Sequence, residues 1–243
     1  MIDFILTSYN NTEYITLALE SLERFTKSPF RVTIIENSTD IDRFKEIYKD
    51  KDNYQILKGP QNGVWKKPGD GSINHSAGLT MGMKNTDNPI VCFLDSDILF
   101  LDTWEDEILP LLETNFLISN RYEKGICRPM FMIFKRKNFE KYDLLPDASW
   151  VDTCGNITKC AIENDENLAI LENTAFNMNG QYIGDKSKHL LNLPHGEQCS
   201  VNGKPFFFHY GRGETRPQEK IEMWNKEARR YLDCYKQTSI QEN

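Results

Sequence analysis

Four short apolar segments in the first hundred residues alternate with segments whose apolar residues recur at helical spacing. The apolar segments span residues 2–7, 31–35, 54–57 and 90–94. Before the last of them, residues 59–71 hold two prolines and four glycines and are expected to form a loop, and residues 76–83 are expected to form a helix. Strands that alternate with helices in this way are typical of a parallel sheet with right-handed crossover connections. The segment at 90–94 is apolar at every position, as expected for a strand that is covered on both faces. The sequence therefore predicts an α/β fold in which residues 90–94 form the central strand.

Polar side chains follow each of the four predicted strands. These polar clusters lie at residues 7–10, 36–38, 58–63 and 95–97. In an open α/β sheet, ligands bind beyond the carboxyl ends of the parallel strands, so all four clusters are expected along one edge. We therefore predict that a binding site lies in the first half of the chain.

The cluster that follows the central strand contains two aspartates, Asp95 and Asp97, within the stretch FLDSDILF. Two carboxylates this close repel each other unless a positive charge lies between them. Magnesium and manganese ions prefer oxygen ligands of this kind and often share them with phosphates of a substrate. The alternative is a simple polar turn, but the apolar run at residues 98–101 disfavours a surface turn. The pattern favours a site for a divalent cation.

Composition and charge exclude several other classes of protein. The chain has 243 residues, of which 39% are hydrophobic, enough for one sizeable core with room for a smaller lobe. The net charge of −7 comes without a long basic block, which argues against binding to nucleic acid. No apolar run approaches the length of a transmembrane span or of a signal peptide. The six cysteines form no CxxC pair, so we expect reduced thiols and a cytoplasmic protein.

Four segments of the chain resemble glycosyltransferases with the GT-A fold, and most closely the inverting family 2 enzymes, which use nucleotide-sugar donors. The segments are ILTSYNN with the helix LALESL, VTIIENSTD, NG with NHSAGL, and FLDSD, at residues 5–22, 32–40, 62–79 and 93–97. The resemblance implies a GT-A (nucleotide-diphospho-sugar transferase) fold, a single Rossmann-like domain with a mostly parallel central sheet. That domain is expected to span residues 1–243. Its parts are a nucleotide-sugar half at 1–101, an acceptor and catalytic half at 102–216, and a C-terminal helix at 217–243.

The resemblance also implies roles for individual residues in the first half. Asp97 is expected to bind the metal ion directly, and Asp95 to contact the metal ion, the ribose or both. Glu36 is expected to face the nucleobase, at a position where the family usually has Asp. Asn74 or His75 is expected near the donor, although a solvent-exposed residue at a helix N-terminus is the alternative for His75. The expected donor-binding residues are Thr7, Tyr9, Glu36, Asn74, His75, Asp95 and Arg212.

The second half is expected to supply the catalytic base and a third metal ligand. Asp152 precedes a predicted helix and a short strand, which is the arrangement of the base-bearing segment in the family. The alternative for Asp152 is an N-cap, a position at which Asp is a preferred residue. His209 ends an apolar run at a place where many GT-A enzymes have a histidine ligand, and the alternative is a strand-end histidine paired with backbone. Arg212 lies between two glycines, which suits a mobile loop that reaches the donor diphosphate.

The predicted function is a metal-dependent glycosyltransferase that uses Mn²⁺ or Mg²⁺. The expected donor is a nucleotide-diphosphate-sugar, with a UDP-sugar first among them, and the acceptor is a hydroxyl of a glycan or another molecule. The anomeric carbon is expected to be inverted in one displacement. One alternative is a non-catalytic module that binds nucleotide-sugars. A Mg²⁺-dependent phosphatase is disfavoured, because its motif requires a small or hydroxyl residue where this chain has Leu99.

Overall fold

The computed structural model of the chain describes residues 1–9, 12–38, 41–60, 70–120, 122–146, 152–176, 182–184, 191, 193, 196–211 and 217–240. In chain order the elements are β1 (Ile2–Ser8), α1 (Thr12–Phe25), β2 (Phe30–Glu36), α2 (Ile41–Ile47), β3 (Tyr54–Lys58), α3 (Asp70–Lys84), β4 (Ile90–Leu94), β5 (Ile98–Phe100), α4 (Glu105–Ile108), a 3₁₀ helix (Leu109–Glu113), β6 (Leu117–Ser119), β7 (Tyr122–Glu123), β8 (Ile126–Cys127), β9 (Phe131–Lys135), α5 (Arg136–Glu140), α6 (Gly155–Glu163), β10 (Leu168–Ile170), β11 (Glu172–Phe176), β12 (Tyr182–Gly184), β13 (Gly196–Val201), β14 (Lys204–His209) and α7 (Gln218–Ile240).

These elements form two compact units. The first unit contains residues 1–10, 28–96 and 105–171, and the second contains residues 11–27, 97–104 and 172–243. Within the described ranges, every helix is too short or too polar to span a lipid bilayer.

The first unit is built on a seven-stranded sheet with the strand order β10-β6-β9-β4-β1-β2-β3. β4, β1, β2 and β3 are parallel to one another, and β10 is parallel to β6. Only β9 runs against its neighbours β4 and β6. β4 is the fourth of the seven strands, with a neighbouring strand on each edge, and it is buried beyond its first residue. The predicted α/β fold and the predicted central strand are both confirmed.

Helix α3 packs closely on β1 in the first unit through two glycines. A Cβ atom at Gly82 would lie 2.3 Å from Cγ2 of Ile5, and one at Gly78 would lie 2.6 Å from Cγ2 of Thr7. Only glycine allows the helix backbone to approach the strand this closely. The sequence predicted a helix at 76–83 after a loop that ends at Gly71. The helix is confirmed, but the end of the loop is wrong, because α3 already begins at Asp70.

The second unit contains a five-stranded antiparallel sheet with the order β12-β11-β13-β14-β5. The C-terminal helix α7 packs in this unit through Trp224, Ala228 and Leu232, which are fully buried at helical spacing. Trp224 stacks on Tyr210 with ring centroids 5.0 Å apart. This helix lies within residues 217–243, where a C-terminal helix was expected, and it buries one face within the second unit.

Candidate active site

The parallel register of the first unit brings the predicted strand ends to one edge of the sheet. Ser8 at the end of β1 pairs with Glu36 at the end of β2, and Glu36 pairs with Lys58 at the end of β3. The backbone amide of Asn37 donates to the carbonyl of Ser8 at 2.8 Å, and that of Gly59 donates to the carbonyl of Glu36 at the same distance. The shared edge that the sequence predicted is therefore present.

Glu36 presents a carboxylate oxygen that no described residue satisfies. Its side chain is fully buried, and Oε1 accepts a hydrogen bond from the amide of Ser38 at 2.7 Å. Oε2 is buried and has no hydrogen-bond partner among the described residues. A buried acceptor without a partner loses its hydration and gains nothing in return, which costs about 1–3 kcal/mol. Such an atom is suited to receive an N–H group from a ligand.

Asn74 and His75 lie on α3 in the same unit. Asn74 is buried, and its Nδ2 group has no hydrogen-bond partner among the described residues. Nε2 of His75 lies 3.7 Å from Oδ1 of Asp95, the first aspartate of the motif. Because α3 begins at Asp70, His75 lies in the second turn, and the alternative of an exposed N-terminal helix residue is wrong. The structure thus brings His75 and Asp95 together within this unit.

Thr7 and Tyr9, two further residues expected to bind the donor, lie at the end of β1. Thr7 packs its methyl group beside Gly78 of α3, and Tyr9 follows the last residue of β1 with a partly exposed side chain. Arg212 and the loop residues 62 and 63 lie outside the described residues.

In the second unit, Asp97 and His209 face each other at close range. Asp97 immediately precedes β5, and His209 is the last residue of β14, which pairs with β5 so that His209 is opposite Ile98. The amide of Tyr210 donates to the carbonyl of Asp97 at 3.0 Å and fixes the two strand ends together. Oδ1 of Asp97 is 3.2 Å from Nε2 of His209, and both side chains are less than a tenth exposed. His209 is thus held by side chains, and the alternative of a ring paired with backbone is wrong.

The other ring nitrogen of His209 is bound by Glu197, a residue that the sequence did not point to. Glu197 on β13 is directly opposite His209 in the antiparallel pair of β13 and β14. Residues opposite each other in such a pair have neighbouring side chains. Oε1 of Glu197 lies 2.7 Å from Nδ1 of His209, and Oε2 accepts from Nδ2 of Asn173 at 2.5 Å.

The donor atoms of Asp97 and His209 fit a divalent metal ion. A histidine that binds a metal through one ring nitrogen almost always donates its other N–H to a carboxylate, a carbonyl or a water. Glu197 provides that carboxylate, which leaves Nε2 of His209 directed at the carboxylate of Asp97. One carboxylate oxygen and one imidazole nitrogen side by side suit a first-row divalent cation such as Mn²⁺, which binds both kinds of ligand.

Asp152, the expected catalytic base, lies in the first unit and is surrounded by hydrogen-bond donors. Its carboxylate accepts hydrogen bonds from the guanidinium of Arg128, from the hydroxyl of Ser72 at 2.5 Å and from the amide of Thr153 at 2.8 Å. Burial by itself raises the pKa of Asp152, but the bonds from Ser72 and Thr153 and the charge of Arg128 together hold it below its usual value. The N-cap of α6 is Cys154, without a side-chain cap, so the capping alternative for Asp152 is wrong.

Comparison with known proteins gives the class. Residues 3–162, well over half of the chain, match the family model described as glycosyl transferase family 2. The chain therefore belongs to the family 2 glycosyltransferases, and the resemblance seen in the sequence is confirmed. No protein with curated annotation shows significant sequence similarity to it.

Two examples among the solved structures that match show the same fold. S. aureus TarS 1–349 in complex with UDP is 19% identical with a TM-score of 0.51, over 70% of this chain and 57% of that one. The mannosyltransferase PcManGT from Pyrobaculum calidifontis, in complex with GDP-Man and Mn²⁺, is 16% identical with a TM-score of 0.51, over 70% of this chain and 54% of that one. This chain thus spans little more than half the length of either protein. The expected GT-A fold is confirmed.

Proposed function

We propose that the protein is a metal-dependent glycosyltransferase that moves a sugar from a nucleotide-diphosphate-sugar to an acceptor hydroxyl with inversion. The observation that supports this proposal most strongly is the pair formed by Asp97 and His209, with a nitrogen–oxygen distance of 3.2 Å inside a family 2 glycosyltransferase chain. In this proposal residues 1–243 are one GT-A domain. Residues 1–101 bind the nucleotide-sugar, residues 102–216 supply the acceptor and catalytic groups, and residues 217–243 form the C-terminal part that contains helix α7.

The proposed metal ion is Mn²⁺, with Mg²⁺ as the second choice. Asp97 and His209 are the proposed ligands, and Mn²⁺ accepts an imidazole nitrogen more readily than Mg²⁺ does. Asp95, two residues before Asp97 in the chain, is proposed to add a carboxylate for the metal ion or for the ribose. When bound, the ion supplies positive charge to the diphosphate that leaves. PcManGT, one of the proteins with the same fold, is described in complex with Mn²⁺.

The proposed nucleotide is UDP, and Glu36 provides the support. One oxygen of its buried carboxylate is bound by Ser38, and the other has no partner among the described residues. The Watson–Crick edge of uracil offers a single N–H, which matches one unsatisfied acceptor, whereas guanine offers two neighbouring donors. Thr7, Tyr9, Asn74 and His75 are proposed to line the rest of the donor site. TarS, a protein with the same fold, is described in complex with UDP.

In the proposed mechanism, the chain's own groups position the donor and move one proton. Asp152 accepts the proton of the acceptor hydroxyl as the hydroxyl oxygen bonds to the anomeric carbon. The bond from that carbon to the diphosphate breaks on the opposite face, so the configuration is inverted without a covalent intermediate. Arg212 is proposed to neutralise the departing diphosphate. The acceptor is a glycan or another molecule with a hydroxyl, and the place of action is proposed to be the cytoplasm.

The test of the metal site is UDP binding by calorimetry with and without Mn²⁺. Asp97→Asn is expected to remove the Mn²⁺-dependent part of the UDP affinity and to leave the folded state intact. His209→Ala is expected to lower Mn²⁺ affinity more than it lowers stability. The matched control is Asp102→Asn, another aspartate of the second unit, which pairs with the exposed Lys204 and accepts hydrogen bonds from Thr103. Metal-dependent affinity that stays at the wild-type level in Asp97→Asn contradicts the proposal.

A second candidate function is a binding module that holds nucleotide-sugars without transferring them. The ion pair between Asp152 and Arg128 favours it, because a carboxylate with a lowered pKa is a weaker base. Slow hydrolysis of a nucleotide-sugar in the presence of Mn²⁺ supports the enzyme, and binding without any turnover supports the module. A thermal-shift screen of nucleotide-sugars identifies the donor first, because a bound ligand stabilises the folded state.

A further inference from the structure

The side chain of Glu197 is buried and bound on both of its carboxylate oxygens. Glu197 is 4% exposed. Oε1 bonds to Nδ1 of His209 at 2.7 Å, and Oε2 accepts from Nδ2 of Asn173 at 2.5 Å. Asn173 lies on β11 opposite Cys199, two residues along β13 from Glu197, and it reaches the carboxylate diagonally. Three neighbouring strands therefore hold this carboxylate in one orientation.

This arrangement determines which nitrogen of His209 is available for another partner. An ionised carboxylate can only accept hydrogen bonds, so Nδ1 of His209 must carry a proton. Nε2, which lies 3.2 Å from Oδ1 of Asp97, is then the nitrogen that can give up its proton and offer a lone pair to a cation. The hydrogen bond from Asn173 to the second oxygen opposes rotation of the Glu197 carboxylate. The imidazole of His209 is therefore held in one orientation.

We propose that Glu197 is a positioning residue that holds His209 in the tautomer and orientation needed to bind a divalent cation through Nε2. The inference rests on the metal site of the proposed function. Glu197 itself does not touch the cation. Its contribution is to keep the imidazole donor directed at Asp97, and Asn173 supports it from the far side.

The first variant is Glu197→Gln, which keeps the shape of the side chain. Asn173 donates to the outer oxygen, so the amide oxygen is expected to take that place and to direct the NH₂ group at Nδ1 of His209. A donor at that position moves the proton of the ring to Nε2 and blocks the metal-binding nitrogen. Loss of such an outer partner typically lowers metal affinity by about 10–100-fold. We expect a loss in this range for Mn²⁺ alone, measured by electron paramagnetic resonance of the unbound ion.

The second measurement is the protonation of Nδ1 of His209 in the metal-free protein. If Glu197 only stabilised the fold, its substitution would leave this protonation unchanged. Long-range ¹H–¹⁵N correlation spectra distinguish the two tautomers, and the spectrum of His209→Ala identifies the signal among the four histidines of the chain. In the wild type Nδ1 is expected to carry a proton, whatever the state of Nε2 beside Asp97, and in Glu197→Gln Nδ1 is expected to carry none. The proposal requires both changes. A wild-type tautomer or a wild-type Mn²⁺ affinity in this variant overturns it.

The matched control is Glu105→Gln in the first unit. Glu105 is another buried glutamate, and it accepts a hydrogen bond from the amide of Ser28 at 2.7 Å. Its substitution is expected to leave Mn²⁺ affinity and the His209 signal unchanged. If Glu197→Gln does not fold, Asn173→Ala tests the proposal instead, because Asn173 is partly exposed and its substitution should be tolerated. Its expected loss of Mn²⁺ affinity is below about tenfold. Unchanged affinity in Asn173→Ala then overturns the proposal.

The variant Asp97→Asn separates this inference from the proposed function. If Asp97→Asn and His209→Ala both bind Mn²⁺ like the wild type, there is no metal site here and the proposed function fails with it. If both lose Mn²⁺ and Glu197→Gln does not, the metal site stands and only the role of Glu197 is wrong.

Discussion

The guanidinium of Arg128 donates a hydrogen bond to the carboxylate of Asp152, 24 residues further along the chain. Both side chains are partly buried, and Ser72 donates to the other oxygen of the carboxylate. Asp152 is therefore ionised and held in place, but it is also occupied. A carboxylate in this state can act as a base only if an acceptor hydroxyl replaces one of its partners.

The first prediction concerns Asp152→Asn. Asparagine keeps the size of the side chain and can still accept from Ser72, but it loses the charge and the basicity. General-base catalysis is typically worth a factor of about 10²–10⁴, so sugar transfer is expected to fall by at least about a hundredfold. Donor affinity is expected to stay near the wild-type value, because a base acts on the acceptor. Single-turnover transfer and calorimetry of the donor measure the two quantities separately.

Near-normal transfer by Asp152→Asn would show that Asp152 only pairs with Arg128. The base would then have to be another carboxylate, and Glu163 at the end of α6 and Asp165 just after it are the first candidates. Both are exposed, and Glu163 pairs with Lys159 at 3.7 Å. Glu163→Gln and Asp165→Asn therefore serve as controls that are expected to leave transfer unchanged.

The second prediction concerns Arg128→Gln and acid stability. The pKa of Asp152 is lowered in the folded state, in part by the charge of Arg128. A carboxyl with a lowered pKa stabilises the folded protein above its unfolded-state pKa, and this contribution disappears as the pH falls through the folded-state pKa. The free energy of unfolding of Arg128→Gln should therefore lie below the wild-type value at neutral pH. This difference in the free energy of unfolding should become smaller as the pH falls into the range where Asp152 becomes protonated.

Urea unfolding at a series of pH values measures this gap. Lys159→Gln removes one partner of an exposed ion pair on α6 and is the matched control. Exposed pairs contribute about 0–1 kcal/mol, so its pH dependence is expected to follow that of the wild type. A difference between Arg128→Gln and the wild type that does not change with pH contradicts the assigned cause of the lowered pKa.

The sequence predicted the parallel part of the fold because its signals are local. The apolar run of β4 and the polar residues after β1 and β2 are each visible within a few neighbouring residues. His209 ends the apolar run of β14, and the resemblance to GT-A enzymes, rather than the run itself, indicated its role as a metal ligand. Local pattern failed at the start of α3, where a stretch rich in glycine and proline suggested a loop. Asp70 and Gly71 of that stretch are in α3. Gly78 and Gly82, further along the helix, are explained by its packing on β1, which the sequence alone does not reveal.

Glu197 and Arg128 could not be predicted, because their roles come from pairing between distant segments. Glu197 contacts His209 only through the register of β13 and β14, and nothing in the stretch GEQCSV distinguishes this glutamate from an ordinary strand residue. Arg128 follows β8 and reaches Asp152 across 24 residues of chain. A one-residue shift in strand pairing would move every side chain to the other face, so such contacts require the folded structure.

The third prediction concerns the six cysteines, all of which lie in the described residues and none of which is in a disulfide. Cys234 is exposed and Cys160 partly exposed, whereas Cys92, Cys127, Cys154 and Cys199 are buried. Burial raises the pKa of Cys127 to about 11, so little reactive thiolate forms near neutral pH. With a thiol reagent, the native protein should react fastest at Cys234, then at Cys160, and at the other four only after unfolding.

Two outcomes would contradict this order. Protein purified without an oxidant should give six thiols under denaturing, non-reducing conditions, and a lower number would reveal a disulfide and argue against a reducing compartment. The variant Cys234→Ser should lose the fastest phase of the reaction with the thiol reagent and keep the slower phases. A fast phase that survives in this variant means that a buried cysteine is more accessible than the structure indicates.

The last prediction concerns the contact between Gly82 of α3 and Ile5 of β1. In an isolated helix, Gly→Ala is favourable by about 0.5–1 kcal/mol. Here the new methyl group would lie 2.3 Å from Cγ2 of Ile5, a branch attached next to the backbone of a fully buried strand residue. That branch cannot move aside, so Gly82→Ala is expected to destabilise the protein by about 1–3 kcal/mol, as overpacking of a core does. In an Ile5→Ala background the same substitution fills part of the space left by the isoleucine, and its effect is expected to become neutral or favourable. Urea unfolding of the four proteins of this double-mutant cycle gives the coupling, expected at about 1 kcal/mol or more. Equal changes in the free energy of unfolding for Gly82→Ala in both backgrounds would show that Gly82 of α3 does not pack against Ile5 of β1.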